Sequence, residues 1–125
     1  MLDLSGKILS DLYLPGANLE KLIFTESDIT GSNLLAANLI DAVASHAIMR
    51  GITASGANFT NAVIPSADLS GSKFIGCTFV NTVMPDVIVD KETNFTGARF
   101  IGTYIGNTKL TEANITGAIF RGVKR

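Results

Sequence analysis

Ala57-Asn58-Phe59-Thr60-Asn61, Ala62-Val63-Ile64-Pro65-Ser66 and Ala67-Asp68-Leu69-Ser70-Gly71 follow one another without a gap. Each opens on a small residue, places a bulky apolar one two positions later and ends on two residues of turn character. Outward from Phe59 the bulky position recurs at every fifth residue. It runs back through Met49, Leu39, Leu34, Ile29, Phe24, Leu19, Leu14 and Leu9 to Leu4, with only Ala44 and Ala54 small, and forward through Phe74, Phe79 and Met84 to Val89. The series then slips by one and resumes as Phe95, Phe100, Ile105, Leu110, Ile115 and Phe120, which places a one-residue insertion within 90–94. We call the bulky position i. The position i−2 is usually small, as at Ala17, Ser27, Ser32, Ala37, Ala47, Ala67, Cys77, Ala98 and Ala118.

A period of five suits neither regular element. A step of five rotates a helix by about 140°, scattering the bulky residues around it. In a straight strand the same step reverses the face each time. A short extended piece that points i−2 and i inward, followed by a turn across i+1 and i+2, restores the parity. Eleven of the twelve glycines fall at i+2, where a turn needs a backbone without Cβ. A chain that turns the same way after each short strand winds into a solenoid with the i and i−2 side chains stacked inside.

The copies Ala17-Asn18-Leu19, Ala37-Asn38-Leu39, Ala57-Asn58-Phe59, Ala67-Asp68-Leu69 and Ala113-Asn114-Ile115 resemble the pentapeptide-repeat family, whose signature is Ala-(Asp/Asn)-Leu-x-x in tandem. The resemblance runs from Leu2 to Gly122. It implies an all-β fold, a right-handed four-sided β-helix of about six coils with four pentapeptides per coil, so that residues 1–125 form a single repeat domain. Sorted in fours, the i residues make columns, one of them Leu19, Leu39, Phe59, Phe79, Phe100, Phe120. Phe79 and Phe100 are then expected as buried neighbours. The coil that carries Ala44 and Ala54 also carries Met49, Ile52 and Phe59, which redistributes volume within one layer. Six coils at strand spacing make a rod about 29 Å long.

The ends depart from the pattern. Leu2, Lys7, Leu12 and Leu22 exceed an enclosed i−2 site, so the first coil is expected to be wide and open, with Lys7 reaching water. No capping helix is expected at either end, and bare ends invite stacking or another domain. Asp90-Lys91-Glu92, at the register slip, reads as a bulge or small loop.

Composition removes several classes of function. The 125 residues are 46% hydrophobic and 17% charged, enough for one packed core. A net charge of −1 gives no polyanion-binding surface. The longest apolar run, Leu34-Leu35-Ala36-Ala37, is far below the ~18 residues of a membrane span, so no membrane partner is expected. The N-terminus shows no signal peptide, though a processed chain would also lack one, and the single cysteine fits a reducing compartment, so a cytoplasmic location is expected.

Chemistry-bearing residues are few. His46 stands at an outward corner without a second ligand nearby, and Cys77 at i−2 reads as a small buried hydrophobe. Three Asn-x-Thr triplets, at Asn58, Asn94 and Asn114, arise from the repeat itself rather than as modification sites. No phosphate loop, nucleophile elbow or His-carboxylate set is present, so no enzyme, cofactor or metal site is expected.

The outward i−1 residues carry the remaining signal. On one side they read Asp3, Ile23, Val43, Val63, Val83, Tyr104, so Ile23, Val43, Val63, Val83 and Tyr104 put apolar groups on five successive coils. The adjacent side only alternates, as Ile8, Asp28, Ile48, Asp68, Ile88, Lys109. A contiguous stripe of this kind marks a protein contact surface. The expected function is a rigid interaction scaffold or adaptor that binds a protein partner or a second copy, through the stripe or through an uncapped end. The alternative, from family members that act on topoisomerases, is a DNA mimic. Nearly equal acidic and basic counts dilute the charge that mimicry requires, and they disfavour nucleic acid itself as a partner.

Overall fold

The computed structural model describes residues 2–125. The chain winds as a right-handed, four-sided β-helix. Its sides are parallel ladders, and a residue pairs with the one 20 positions on: Asp3 with Ile23, Ile8 with Asp28, Tyr13 with Asn33, Asn18 with Asn38. A spacing of four pentapeptides is what makes the rod four-sided. Most rungs are single bridging residues between corners. Three lengthen into strands, β1 (Thr78–Val80), β2 (Arg99–Ile101) and β3 (Ile119–Arg121), which form one parallel sheet in that order.

Most corners are four-residue turns closed by an i+3 N–H donating to the carbonyl of i, as from Ala62 to Phe59 at 3.0 Å, whereas the N–H groups of Leu12, Ile52 and Val87 donate to the hydroxyls of Ser32, Ser72 and Thr108 in the next coil. The residue at i+2 has positive φ, the signature of a type II turn. Asp11, Lys21, Glu26, Ala36, His46, Asn61 and Ser66 adopt this left-handed backbone alongside the glycines. Gly106 is the glycine that stands outside the i+2 rule. Its φ is +50°, and a Cβ there would lie 2.7 Å from the Cβ of Pro85, so the corner closes only around glycine.

The interior is closed from Leu22 to Leu110. Phe79 pairs with Phe100 and Phe100 with Phe120, and the rings of this column stack face to face at 4.9 and 5.0 Å. A second column, Phe74 on Phe95 at 5.3 Å, meets the first edge-on, with Phe95 at 73° to Phe100. Stacked and T-shaped contacts both suit the ring quadrupole. Ala44, Met49, Ile52, Ala54 and Phe59 are all buried, so the large Ile52 at i−2 fills the space that the small Ala54 leaves at i.

Most polar i−2 residues are satisfied from the coil beneath, while the Ser27 hydroxyl donates to the Phe24 carbonyl of its own corner at 2.6 Å. The Thr82 hydroxyl donates to the Phe59 carbonyl at 2.7 Å, Thr108 to Met84 at 2.8 Å, and the Cys77 thiol to Ala54 at 2.8 Å. Among the described residues no buried side-chain nitrogen or oxygen lacks a partner. Burial pushes the Cys77 thiol up to about 12, while the Ala57 and Gly56 N–H groups pull the other way, so it stays protonated and inert.

Between Val89 and Phe95 the chain takes one extra residue. Ladder spacing is 20 residues at Asp68 with Ile88 and 21 at Lys73 with Asn94, then returns to 20 at Asn94 with Asn114. Asp90 organises the loop: its Oδ1 accepts the N–H groups of Gly71, Glu92 and Thr93 at 3.0 to 3.1 Å. The coil above this widened corner departs in the same place. Leu110, read from the repeat as an ordinary strand position, begins a 3-10 turn (Leu110–Glu112), and the ladder from Ile8 through Ile88 does not extend to Lys109. Leu110 still enters the core.

At the N-terminal end Leu4, Leu9, Leu14 and Leu19 are half-buried around an apolar hollow of about 150 Å³. Lys7 is exposed, as the open first coil requires. Leu22 differs from its sequence reading. It is buried at 8% exposure, because the second coil already has a neighbour on each side.

Candidate protein contact surface

The ladder Asp3, Ile23, Val43, Val63, Val83, Tyr104, Lys124 is continuous, each residue bridged to the next. Its backbone is fixed by hydrogen bonds at every rung, such as Val63 N–H to the Ala42 carbonyl at 2.9 Å and Val83 N–H to Ala62 at 2.9 Å. Period-two alternation sends i−2 and i inward and forces the residue between them outward. Ile23, Val43, Val63 and Val83 are half-buried, each shielded by its neighbours above and below, and Tyr104 is exposed at 40%. The five apolar side chains thus lie in one line on a single side of the rod.

The corner row between the neighbouring side and this one reads Glu20, Ile40, Thr60, Val80, Ile101, Arg121. Its half-buried Ile40, Val80 and Ile101 add apolar residues at the corner, Val80 and Ile101 as the last residues of β1 and β2 on the neighbouring side. Treating i+1 as a generic turn position hid these residues in the sequence. The row leaving the side adds Pro65 and Pro85. Charges gather at the ends of the side: Asp3 and Glu20 at the N-terminal end, Arg121 and Lys124 at the other.

The other sides are polar or mixed, and on one of them the exposed Ile8 and Ile88 share a ladder with Asp28 and Asp68. Asn18, Asn38 and Asn58 form a ladder on another. The Asn-x-Thr triplets have a structural use: the Asn58 Oδ1 accepts both the N–H and the hydroxyl of Thr60, at 3.0 and 2.6 Å, and Asn94 and Asn114 hold Thr96 and Thr116 in the same way. On the alternating side Asp68 sits at 7% exposure. Burial raises its carboxyl, but hydrogen bonds from Ser70 and Arg50 outweigh that and hold it below the usual carboxylate value. Arg50 pairs with Asp68 at 2.5 Å, the one ion pair among the described residues. Asp28 and Asp68 are separated by Ile48 in this ladder, so their carboxylates do not form an unbroken acidic line.

His46 is exposed at a corner, with φ 56°. Among the described residues no group of three or more His, Cys, Asp or Glu converges as a metal site would require. No helix among them is long and apolar enough to cross a membrane.

Known structures share this architecture. HetL, a pentapeptide repeat protein involved in heterocyst differentiation regulation from the cyanobacterium Nostoc sp. strain PCC 7120, superposes with TM-score 0.62 at 22% identity over 98% of this chain, which spans 65% of HetL's length. Rfr23 from the cyanobacterium Cyanothece 51142 gives 0.59 at 17% identity, over 98% of this chain and 86% of its own. A pentapeptide repeat protein of the Arabidopsis thaliana thylakoid lumen is 31% identical over 82% of this chain and 67% of its own, with TM-score 0.40. No curated protein sequence matches. The first two likenesses are of fold. The Pentapeptide repeats family profile matches residues 37–76 and 91–124 in eight copies, and with the five-residue period, the type II corners and the 20-residue ladders it shows that this chain belongs to the pentapeptide-repeat family.

Proposed function

We propose that the chain is a rigid interaction scaffold or adaptor without catalytic activity, and that the side carrying Ile23, Val43, Val63, Val83 and Tyr104 is its contact surface. The observation that carries this reading is the unbroken apolar ladder on a side whose ends are charged. The other sides have polar or alternating rows, so strand propensity alone does not account for the one that is apolar throughout. A rod with such a side presents a preformed surface, and binding then orders few groups.

Replacing Val43 and Val63 together by Arg tests the reading. Both side chains point outward, so circular dichroism and the melting temperature are expected to stay close to wild type. Association, whether with a partner or with a second copy, is expected to be lost in sedimentation and binding measurements. Unchanged association in the double variant sinks the proposal. Protection or inhibition of gyrase by the protein at tens of micromolar in a supercoiling assay would favour the DNA-mimic reading instead.

A further inference from the structure

The apolar side is polar in a second sense: its charge has a direction. Along the ladder the sequence is acidic at Asp3, apolar for five coils, and basic at Lys124. Both end residues are exposed, and the only ion pair among the described residues is elsewhere, between Arg50 and Asp68. The neighbouring corner row has Glu20 at the first end and Arg121 at the second, with Lys21 beside Glu20 in the same corner, so the direction of charge rests on Asp3 and Lys124.

Such a side is complementary to itself in one orientation. Two copies laid face to face and related by a two-fold axis across the rods run antiparallel, and the axis falls on Val63, the middle of the seven rungs. Asp3 of one copy then meets Lys124 of the other at both ends, Ile23 meets Tyr104, Val43 meets Val83, and Val63 meets itself. In the same arrangement the Glu20 end of the corner row lies toward the Arg121 end of its mate. Parallel docking would set Asp3 against Asp3 and Lys124 against Lys124, and like charges in register oppose association. An isologous pairing is also the one that closes at two copies, whereas end-to-end stacking of rods does not close.

The geometry points to an antiparallel homodimer formed through this side, with Val63 on the symmetry axis and Asp3–Lys124 pairs fixing the register. The inference rests on the contact-surface reading and names its occupant as a second copy of the chain. A side about 29 Å long and about 10 Å wide buries less than a standard interface, so the dimer is expected to be weak.

The test is sedimentation equilibrium up to about 1 mM protein, with charge-swapped variants. Asp3→Lys alone places Lys against Lys at both ends and is expected to weaken dimerisation about tenfold, whereas Asp3→Lys combined with Lys124→Asp restores it to within about twofold of wild type. Because the Asp3 carboxylate also accepts the Ser5 N–H at 2.9 Å, Asp3→Asn serves as a second variant that keeps an acceptor for the turn while removing the charge, and it is expected to weaken the dimer less than Asp3→Lys. A cysteine at position 63 (V63C) is expected to link to its own copy with a short bis-maleimide, and one on another side (T53C) is not; the native Cys77 is buried. A monomer at every concentration, a swap that fails to restore what the single change removed, or equal linking of V63C and T53C overturns the dimer. If the chain is monomeric while V43R/V63R still loses a partner that wild type binds, the contact surface stands and the homodimer falls.

Discussion

Leu19 and Leu39 occupy the same column, the same repeat position and the same kind of pentapeptide, yet Leu39 is completely buried and Leu19 only half-buried. What separates them is the neighbour below: Leu39 has a coil on each side, and Leu19 has one only above. The same holds at the other end, where Phe100 is fully buried and Phe120, stacked on it at 5.0 Å, is 42% exposed. Burial in this molecule is therefore a property of the layer and its two neighbours more than of the residue. Stability then approximates a sum of coil and interface contributions, with the terminal coils the first to open.

The strongest way to break the contrast is a charge in each kind of layer. Phe100→Asp puts a carboxylate between two stacked rings with no partner in reach, and the variant is expected to lose cooperative folding altogether, since the penalty of ~5 kcal/mol or more rivals the whole stability of a small domain. Leu9→Asp, in the open first coil, lets the carboxylate reach water and is expected to leave a folded rod with a lower melting temperature. Thermal unfolding followed by circular dichroism separates the two. A cooperatively folded Phe100→Asp protein would refute the register.

A gentler change tests whether the middle depends on its polar i−2 residues. The Thr103 hydroxyl is the donor to the Phe79 carbonyl from the coil above. Thr103→Val keeps the shape and removes that hydroxyl bond while the strand pairing of β1 with β2 stays, for an expected loss of about 0.5–1.5 kcal/mol in urea unfolding. Thr25→Val, at a corner where the side chain makes no such bond, is expected to stay within about 0.5 kcal/mol of wild type.

These particulars also show what the sequence made legible. The period of five exposed the columns because every inward position repeats the same demand for volume, and the register slip was visible because Phe95 and Phe100 resumed the series. The left-handed corners at Glu26, Ala36 and His46 were not legible, since none of these residues advertises positive φ. Leu110 kept the repeat's spacing and so concealed the 3-10 turn that begins at it. At the candidate site, Ile23 to Tyr104 could be read from the alternation of a strand. Ile40, Val80 and Ile101 could not, because whether an i+1 residue flanks a side or turns from it is decided by the corner's backbone.

The corners yield a smaller effect of opposite sign. Ala36 holds φ at 56°, a conformation that costs an L-residue ~1–2 kcal/mol, and it is exposed with no side-chain role. Ala36→Gly removes that strain but frees the unfolded chain, a loss of ~0.4–1 kcal/mol. The balance is an expected gain of roughly 0.5–1 kcal/mol, read as a slightly higher urea midpoint with unchanged slope.

The smallest effect belongs to the corner that already differs from the rest. Four Gly and Ser residues inserted between Lys91 and Glu92 lengthen a loop whose closure entropy grows only logarithmically, about 0.6 kcal/mol for a doubling. Asp90 keeps the Gly71 N–H across the coil spacing, and the Glu92 and Thr93 N–H groups, which lie beyond the insertion point, return to it from a longer loop at that entropic cost. The same four residues between Asn61 and Ala62 separate two groups that both hold the regular corner, the Asn61 N–H bonded to Val80 and the Ala62 N–H bonded to Phe59, and are expected to cost several times more. The Asp90 anchor also has a pH signature. The Gly71 N–H first, then the Thr93 hydroxyl and the Glu92 and Thr93 N–H groups, outweigh its desolvation and hold its carboxyl below the usual carboxylate value. A depressed folded value means the contribution is complete above the unfolded value, near pH 4, and fades as the pH falls through the folded one. Asp90→Asn is therefore expected to lower the urea midpoint at pH 7 and to match wild type more closely at pH 2 to 3. A difference that does not shrink with acid would mean the carboxylate's charge is not what holds the loop.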